Sequence, residues 1–172
     1  MNSDKSFDSR IFKNKDFTGM SFREMIFNDC VFESCNLANV DLSQASLQGV
    51  KFKNCKIIGV DFSRCSKLLL SFSFHYSVIS MSFFSGLNLK NIIFDTCEIL
   101  ECDFLQTDLS RSDFKNSNLK GSRFQNSNLS FASFRTAKNY SINPNENFLK
   151  ETKFSAPEVI GLLDTFDLDL NI

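Results

Sequence analysis

An apolar residue recurs at every fifth position. In steps of five from Phe7 the chain reads Phe7, Phe12, Phe17, Phe22, Phe27, Phe32, Leu37, Leu42, Leu47, Phe52, Ile57 and Phe62, and the series breaks at Lys67. A second series, displaced by two residues, runs Leu69, Phe74, Ile79, Phe84, Leu89, Phe94, Ile99, Phe104, Leu109, Phe114, Leu119, Phe124, Leu129 and Phe134. Phe, Leu and Ile make up only 50 of the 172 residues, so unbroken filling of 26 slots is not chance. A period of five fits neither the 3.6-residue helix nor the alternating strand. A fixed internal period instead marks a solenoid of stacked copies. It also accounts for 21 Phe in a chain with no Trp.

Through most of the chain the residue two before each slot is small or modestly apolar: Met20, Met25, Cys30, Cys35, Val40, Ala45, Val50, Cys55 and Val60, later Ile92, Cys97, Cys102, Thr107, Ser112, Ser117, Ser122, Ser127 and Ala132. Between the two lies a frequent Asp or Asn, as at Asp41, Asp61, Asp103, Asp108, Asp113, Asn118 and Asn128. Stretches such as Ala45-Ser46-Leu47-Gln48-Gly49 and Thr107-Asp108-Leu109-Ser110-Arg111 resemble the pentapeptide-repeat family, across residues 5–137. The resemblance implies an all-β solenoid, a right-handed quadrilateral β-helix with one pentapeptide per side and four per coil. One large and one small inward residue per five can fill such a tube at close packing. Twenty-six slots make about six and a half coils, a rod of ~31 Å at the spacing of stacked strands.

Composition narrows the function classes. A 42% hydrophobic, 23% charged chain of net charge −1 fits a folded domain and argues against binding nucleic acid directly through phosphate neutralisation. No apolar run is long enough to span a membrane and no leader pattern is visible, so the expected location is cytoplasmic. Five of six cysteines, Cys30, Cys35, Cys55, Cys97 and Cys102, fall at the inward small position, where a thiol packs as a small hydrophobe; Cys65 falls at the break. A structural zinc needs four converging ligands and His75 is the single histidine, so no metal, cofactor or catalytic residue is expected. The periodic Asp residues read as a solvated or hydrogen-bonded ladder, not as acid–base pairs, and the chain is not expected to be an enzyme.

Some outward positions are apolar where they should be polar. Around the phase break at 63–69, Leu68, Leu70, Tyr76, Val78, Met81 and Phe83 fall outside the core slots, with Leu100 and Leu105 further on. They form a candidate partner surface; the alternative is a bulge in which they pack on each other.

After Phe134 the period of five lapses, and residues 138–172 read as a separate ending. Asn143-Pro144-Asn145 signals a turn. A capping helix is expected over about 156–166, with Ser155 as N-cap and Pro157 in its first turn. Val159, Ile160, Leu162, Leu163 and Phe166 give it an apolar stripe, and Leu168, Leu170 and Ile172 alternate with polar residues as a short terminal strand. Phe134-Arg135-Thr136-Ala137, Asn139-Tyr140, Ile142-Asn143-Pro144 and the stretch from Phe154-Ser155 to Gly161-Leu162-Leu163 are similar to the ending of quinolone-resistance and microcin-immunity pentapeptide proteins. That likeness implies a homodimer joined through the C-terminal segment, and protection of DNA gyrase or topoisomerase IV by a rod that imitates duplex DNA.

A mimic of DNA should carry an acidic face. With four repeats per coil, the face of Phe12, Phe32, Phe52, Phe74, Phe94, Phe114 and Phe134 holds Lys13, Lys51, Lys53, Lys115 and Arg135 against Glu33, Asp95 and Asp113, a net +2, and each other face nets −1. The function expected is therefore a non-enzymatic β-helical interaction module with an unknown protein partner. The alternative is modulation of a type II topoisomerase by partial DNA mimicry.

Overall fold

The chain winds into an all-β parallel solenoid with four walls, in a computed structural model that describes residues 5–164, 166 and 168. The first wall holds strands Ser6–Asp8, Ile26–Asn28 and Ser46–Gln48, and the second holds Ile11–Lys13, Val31–Glu33, Val50–Lys53, Phe72–His75 and Phe94–Asp95. Lys56–Ile58, Val78–Ser80 and Glu98–Leu100 form the third, and Asp103–Leu105 with Arg123–Gln125 lie on the fourth. Isolated parallel bridges supply the remaining rungs. Among the described residues no helix is long and apolar enough to cross a membrane.

Each wall turns into the next at a residue with positive φ, recurring every five positions through Ser9, Asn14, Gly19, Glu24 and Asp29. Small or amide residues adopt this left-handed conformation at least cost. At one such corner Gly49 leaves room for the Asp29 carboxylate, which a Cβ there, 2.3 Å from its Oδ1, would displace.

The slots form columns inside the tube. On the second wall Phe32, Phe52, Phe74, Phe94, Phe114 and Phe134 stack with ring centroids 4.6 to 5.3 Å apart. Opposite them Phe62, Phe84, Phe104 and Phe124 stack at 4.8 to 5.1 Å. The two columns meet edge to face across the interior, as at Phe94–Phe104, 5.9 Å and 89°. Both geometries suit the ring quadrupole. Where Leu37, Leu42 and Leu47 take the place of rings, a void of about 10 Å³ remains.

The phase break is a two-residue insertion in one coil. Partners below it are twenty apart, as Phe32 and Phe52; across it they are twenty-two apart, as Phe52 and Phe74 or Ile57 and Ile79; above it, as Phe74 and Phe94, twenty again. The structure corrects one slot. Leu69, expected inside, is 69% exposed with φ 53°, because the extra residues loop out of the first wall. Leu70 packs on the core there instead, and Phe72 holds a small-residue position beside Val50, its ring 5.3 Å from Phe62 and 5.5 Å from Phe74.

The ladder also runs past residue 137. Phe148 bridges Asn128, Lys153 bridges Ser133, and Leu149 and Phe154 pack on the core twenty residues above Leu129 and Phe134. The intervening slots are Asn139 and Pro144, and Tyr140 and Ile142 are buried there instead. The expected long capping helix is a single 3-10 helix, Glu158–Leu162, with Pro157 at its N-cap and no side-chain cap from Ser155. A five-residue helix suffices because Leu162 alone packs on the core and Gly161 lies against the Tyr140 carbonyl, 2.4 Å from where a Cβ would be. Val159 and Ile160 are half-buried, while Leu163, Phe166 and Leu168 are exposed. The expected terminal strand, with Leu170 and Ile172, lies outside the described residues.

Candidate functional site

The periodic acids and amides are hydrogen-bond acceptors within their own turns. Asp16 Oδ1 accepts from the Thr18 N–H, Asp41 Oδ1 from that of Ser43, Asp61 Oδ1 from that of Ser63 and Asp108 Oδ1 from that of Ser110, at 2.9 to 3.0 Å. The hydroxyls of Thr18 and Ser43, then the N–H groups of the same residues, hold the Asp16 and Asp41 carboxyls below the usual value of 3.8. Among the described residues Lys and Arg cations pair with four of the acids, three of them as Lys5 with Glu24, Lys13 with Glu33 and Lys90 with Asp108. Arg123 grips Asp103 through two bonds of 2.5 and 2.6 Å.

The small inward column has a chemistry that its size alone did not reveal. Thr107 Oγ1, Ser117 Oγ and Ser122 Oγ donate to the carbonyls of Phe84, Phe94 and Ile99, each twenty-three residues back, at 2.8 to 3.0 Å. Cys30, Cys35 and Cys55 thiols reach Phe7, Phe12 and Phe32 carbonyls at 3.3 Å. Ser117 and Ser122 also accept from the N–H groups of Cys97 and Cys102. The sequence signal was the preference for Cys, Ser and Thr at a site where Ala or Val would fit. All six cysteines are free and buried. Burial pushes the thiol of Cys55 up to about 11 and those of Cys65, Cys97 and Cys102 up to about 12. Among the described residues no three His, Cys, Asp or Glu side chains stand together in a form that could hold a metal.

The candidate partner residues do not form one surface. Leu68, 72% exposed, and Leu69 project from the insertion on the first wall, while Leu70 folds back onto the core. Tyr76, Val78, Met81 and Phe83, 60, 40, 50 and 45% exposed, run instead around the third wall and onto the fourth. Val78, on the third wall, lies across the rod from the insertion on the first wall, and Phe83 lies on the fourth wall between them. Leu100 and Leu105 are half-buried.

Polar residues flank the Tyr76–Phe83 ribbon on both neighbouring coils. Val78 lies between Lys56 and Glu98, and Phe83 between Asp61 and Asp103. At two successive corners Tyr76 and Met81 keep positive φ, 52° and 48°, where one coil below stand Asn54 and Gly59. His75, next to this ribbon, lies 3.8 Å from Asp95 and 3.2 Å from Ser73 Oγ.

The pentapeptide-repeat region model matches residues 5–84 and the model of eight pentapeptide copies matches residues 102–138. The chain belongs to the pentapeptide-repeat family. No curated protein matches it by sequence. Among solved structures it is similar to a trypsin-treated variant of QnrB1, described as a plasmid-mediated fluoroquinolone resistance protein, at 18% identity over 96% of this chain and 90% of that one, with a TM-score of 0.61. A second trypsin-treated QnrB1 variant matches at 16% identity over 97% and 92% of the two chains, also with a TM-score of 0.61. At such identities the likeness is one of fold.

Proposed function

We propose that this chain is a non-enzymatic interaction module that binds a protein partner through the ribbon of Tyr76, Val78, Met81 and Phe83. One observation carries the reading. Tyr76 and Met81 stand at left-handed corners, where a bulky side chain costs on the order of 1–2 kcal/mol and gains little burial. Folding is better served by the Asn and Gly found one coil below. A disfavoured conformation that exposes apolar surface therefore points to a contact made outside the chain. The flanking Lys56, Glu98, Asp61 and Asp103 give the ribbon the polar rim of a protein interface. Val78→Asp and Phe83→Asn, the latter chosen so that no third carboxylate enters the Asp61–Asp103 column, are expected to melt as the wild type does and to lose a protein that the wild type captures. Equal capture by wild type and variants, or none by either, removes the reading.

A second reading is protection or modulation of DNA gyrase or topoisomerase IV by partial DNA mimicry. It draws support from the fold shared with a fluoroquinolone resistance protein, and the pairing of carboxylates with cations across coils weighs against it. A gyrase supercoiling assay with and without a fluoroquinolone tests it. Relief of the drug's inhibition supports this reading, and an unchanged response to the drug retires it.

A further inference from the structure

The two ends of the rod differ in charge, and the repeat register explains one of them. In the second coil the small inward positions are Met25, Cys30, Cys35 and Val40, and in the third Ala45, Val50, Cys55 and Val60. The same columns in the first coil hold Lys5, Arg10, Lys15 and Met20, all exposed. Three cations could not occupy these columns under another coil, because burying unpaired charge is prohibitive. The first coil is therefore built to be terminal by its own residues.

That end is also unfinished as a sheet. The N–H groups of Ile26, Val31, Asn36 and Asp41 donate down to the carbonyls of Lys5, Arg10, Lys15 and Met20 at 2.7 to 3.0 Å. Their first-coil counterparts, on Ser6, Ile11, Asp16 and Ser21, point off the end of the ladder and donate to no backbone carbonyl among the described residues. Phe7, Phe12 and Phe17 form a half-buried aromatic floor, and the Arg10 guanidinium lies 5.5 and 5.6 Å from the centroids of Phe7 and Phe12. Lys5 is paired with Glu24, whereas Arg10 and Lys15 have no ion-pair partner among the described residues.

The C-terminal sequence has complementary properties. Residues 155–172 contain Glu158, Asp164, Asp167 and Asp169 and no Lys or Arg, a net −4. Leu163, Phe166 and Leu168 in that segment are 37, 43 and 54% exposed. From Asp167 to Ile172 the sequence alternates polar and apolar residues, the pattern of a strand with one apolar face. Two such ends repel each other, whereas one of them matches the cations, the apolar floor and the free N–H groups of the first coil.

We propose that the N-terminal end of the rod is a docking surface for the C-terminal segment of a second copy, so that the protein associates head to tail. The added segment extends the ladder by edge pairing, with carboxylates at Arg10 and Lys15 and apolar side chains over Phe7, Phe12 and Phe17. A head-to-tail contact of this kind is heterologous and does not close on itself, so it produces open chains of rods. The site is separate from the Tyr76–Phe83 ribbon and does not depend on it.

Light scattering on the full chain and two end-blocked variants tests the proposal. The first variant carries Arg10→Glu and Lys15→Glu, and the second Asp164→Lys, Asp167→Lys and Asp169→Lys. Wild type is expected to gain mass beyond a dimer as concentration rises and to lose it as salt screens the charges. Each variant alone should remain a single chain, and an equimolar mixture should regain mass, because the unchanged tail of the first meets the unchanged head of the second and the two reversed ends are complementary to each other. A wild type that stays a single chain throughout overturns the proposal. So does a dimer that survives in the first variant, which would join C-terminal segments instead. Melting curves accompany each sample, and if charge reversal at Arg10 or Lys15 lowers the transition, Arg10→Gln with Lys15→Gln repeats the test.

Discussion

Three serines at the same inward register position make a controlled experiment within one molecule. Ser112, Ser117 and Ser122 are all buried, on three successive walls. Ser117 Oγ donates to the Phe94 carbonyl at 3.0 Å and accepts from the Cys97 N–H at 3.0 Å; Ser122 Oγ does the same with Ile99 and Cys102 at 2.8 and 3.2 Å. Ser112 Oγ has no hydrogen-bond partner among the described residues. Replacing each by Ala removes one oxygen and leaves a space of the same size, so the cavity contributions cancel between variants. The hydrogen-bond contributions do not. Ser117→Ala and Ser122→Ala each strand a buried carbonyl and a buried N–H, at about 1–3 kcal/mol per group, and after relaxation a loss of about 2–4 kcal/mol is expected. Ser112→Ala removes an unpaired buried hydroxyl and should be neutral or stabilising by up to about 1 kcal/mol. Equilibrium unfolding in denaturant, with the slope unchanged so that midpoints report stability, separates the cases. Equal losses in all three variants would refute the view that the small column is held by hydrogen bonds as well as by packing.

Further outcomes follow from the same geometry. At pH 8 a thiol reagent should label none of Cys55, Cys65, Cys97 and Cys102 in the folded protein, since burial holds them neutral and covered, and all six cysteines after unfolding; rapid native labelling of those four by mass spectrometry would contradict this. Asp16 and Asp41 titrate below 3.8 in the fold. Their stabilisation is complete above that pH and disappears as pH falls through their lower folded values. The melting temperature should therefore drop below pH 3.8, and less steeply in Asp41→Asn; identical acid profiles would show that the turn bonds do not contribute. Leu70→Asp should cost about 1–3 kcal/mol because Leu70 packs on the core, whereas Leu68→Asp on the exposed loop should stay within about 0.5 kcal/mol. Equal effects on thermal unfolding would remove the distinction drawn between the two leucines.

The walls, the slots and the acid ladder were legible in the sequence because each follows from one local rule repeated along most of the chain. Errors arose where the rule was extended over a break. Leu69 satisfied the period and still lies outside, because two inserted residues must leave the ladder somewhere and Leu70 packs on the core instead. Residues 138–154 lost the period at Asn139 and Pro144 and still continue the coil, since Leu149 and Phe154 stand in register above Leu129 and Phe134. Of the candidate surface, the exposure of Tyr76, Val78, Met81 and Phe83 was readable from their positions. Their separation from Leu68 and Leu69 was not, because it depends on which walls the insertion divides. The hydroxyl and thiol bonds to carbonyls twenty-three residues back were hidden because a small polar residue and a small apolar one satisfy the same volume.

The twenty-two-residue coil also bears on how such a chain finds its register. Repeated sequence invites error, because a coil that docks one position too early or too late still places Phe, Leu or Ile in every slot and forms the same backbone bonds. A misregistered rod of uniform coils would be nearly as stable as the correct one and slow to correct itself. The insertion removes that degeneracy. Only one coil seats a ring, that of Phe72, at a small-residue position beside Phe62 and Phe74, so it acts as the notch in a key, and every coil above it is counted from that mark.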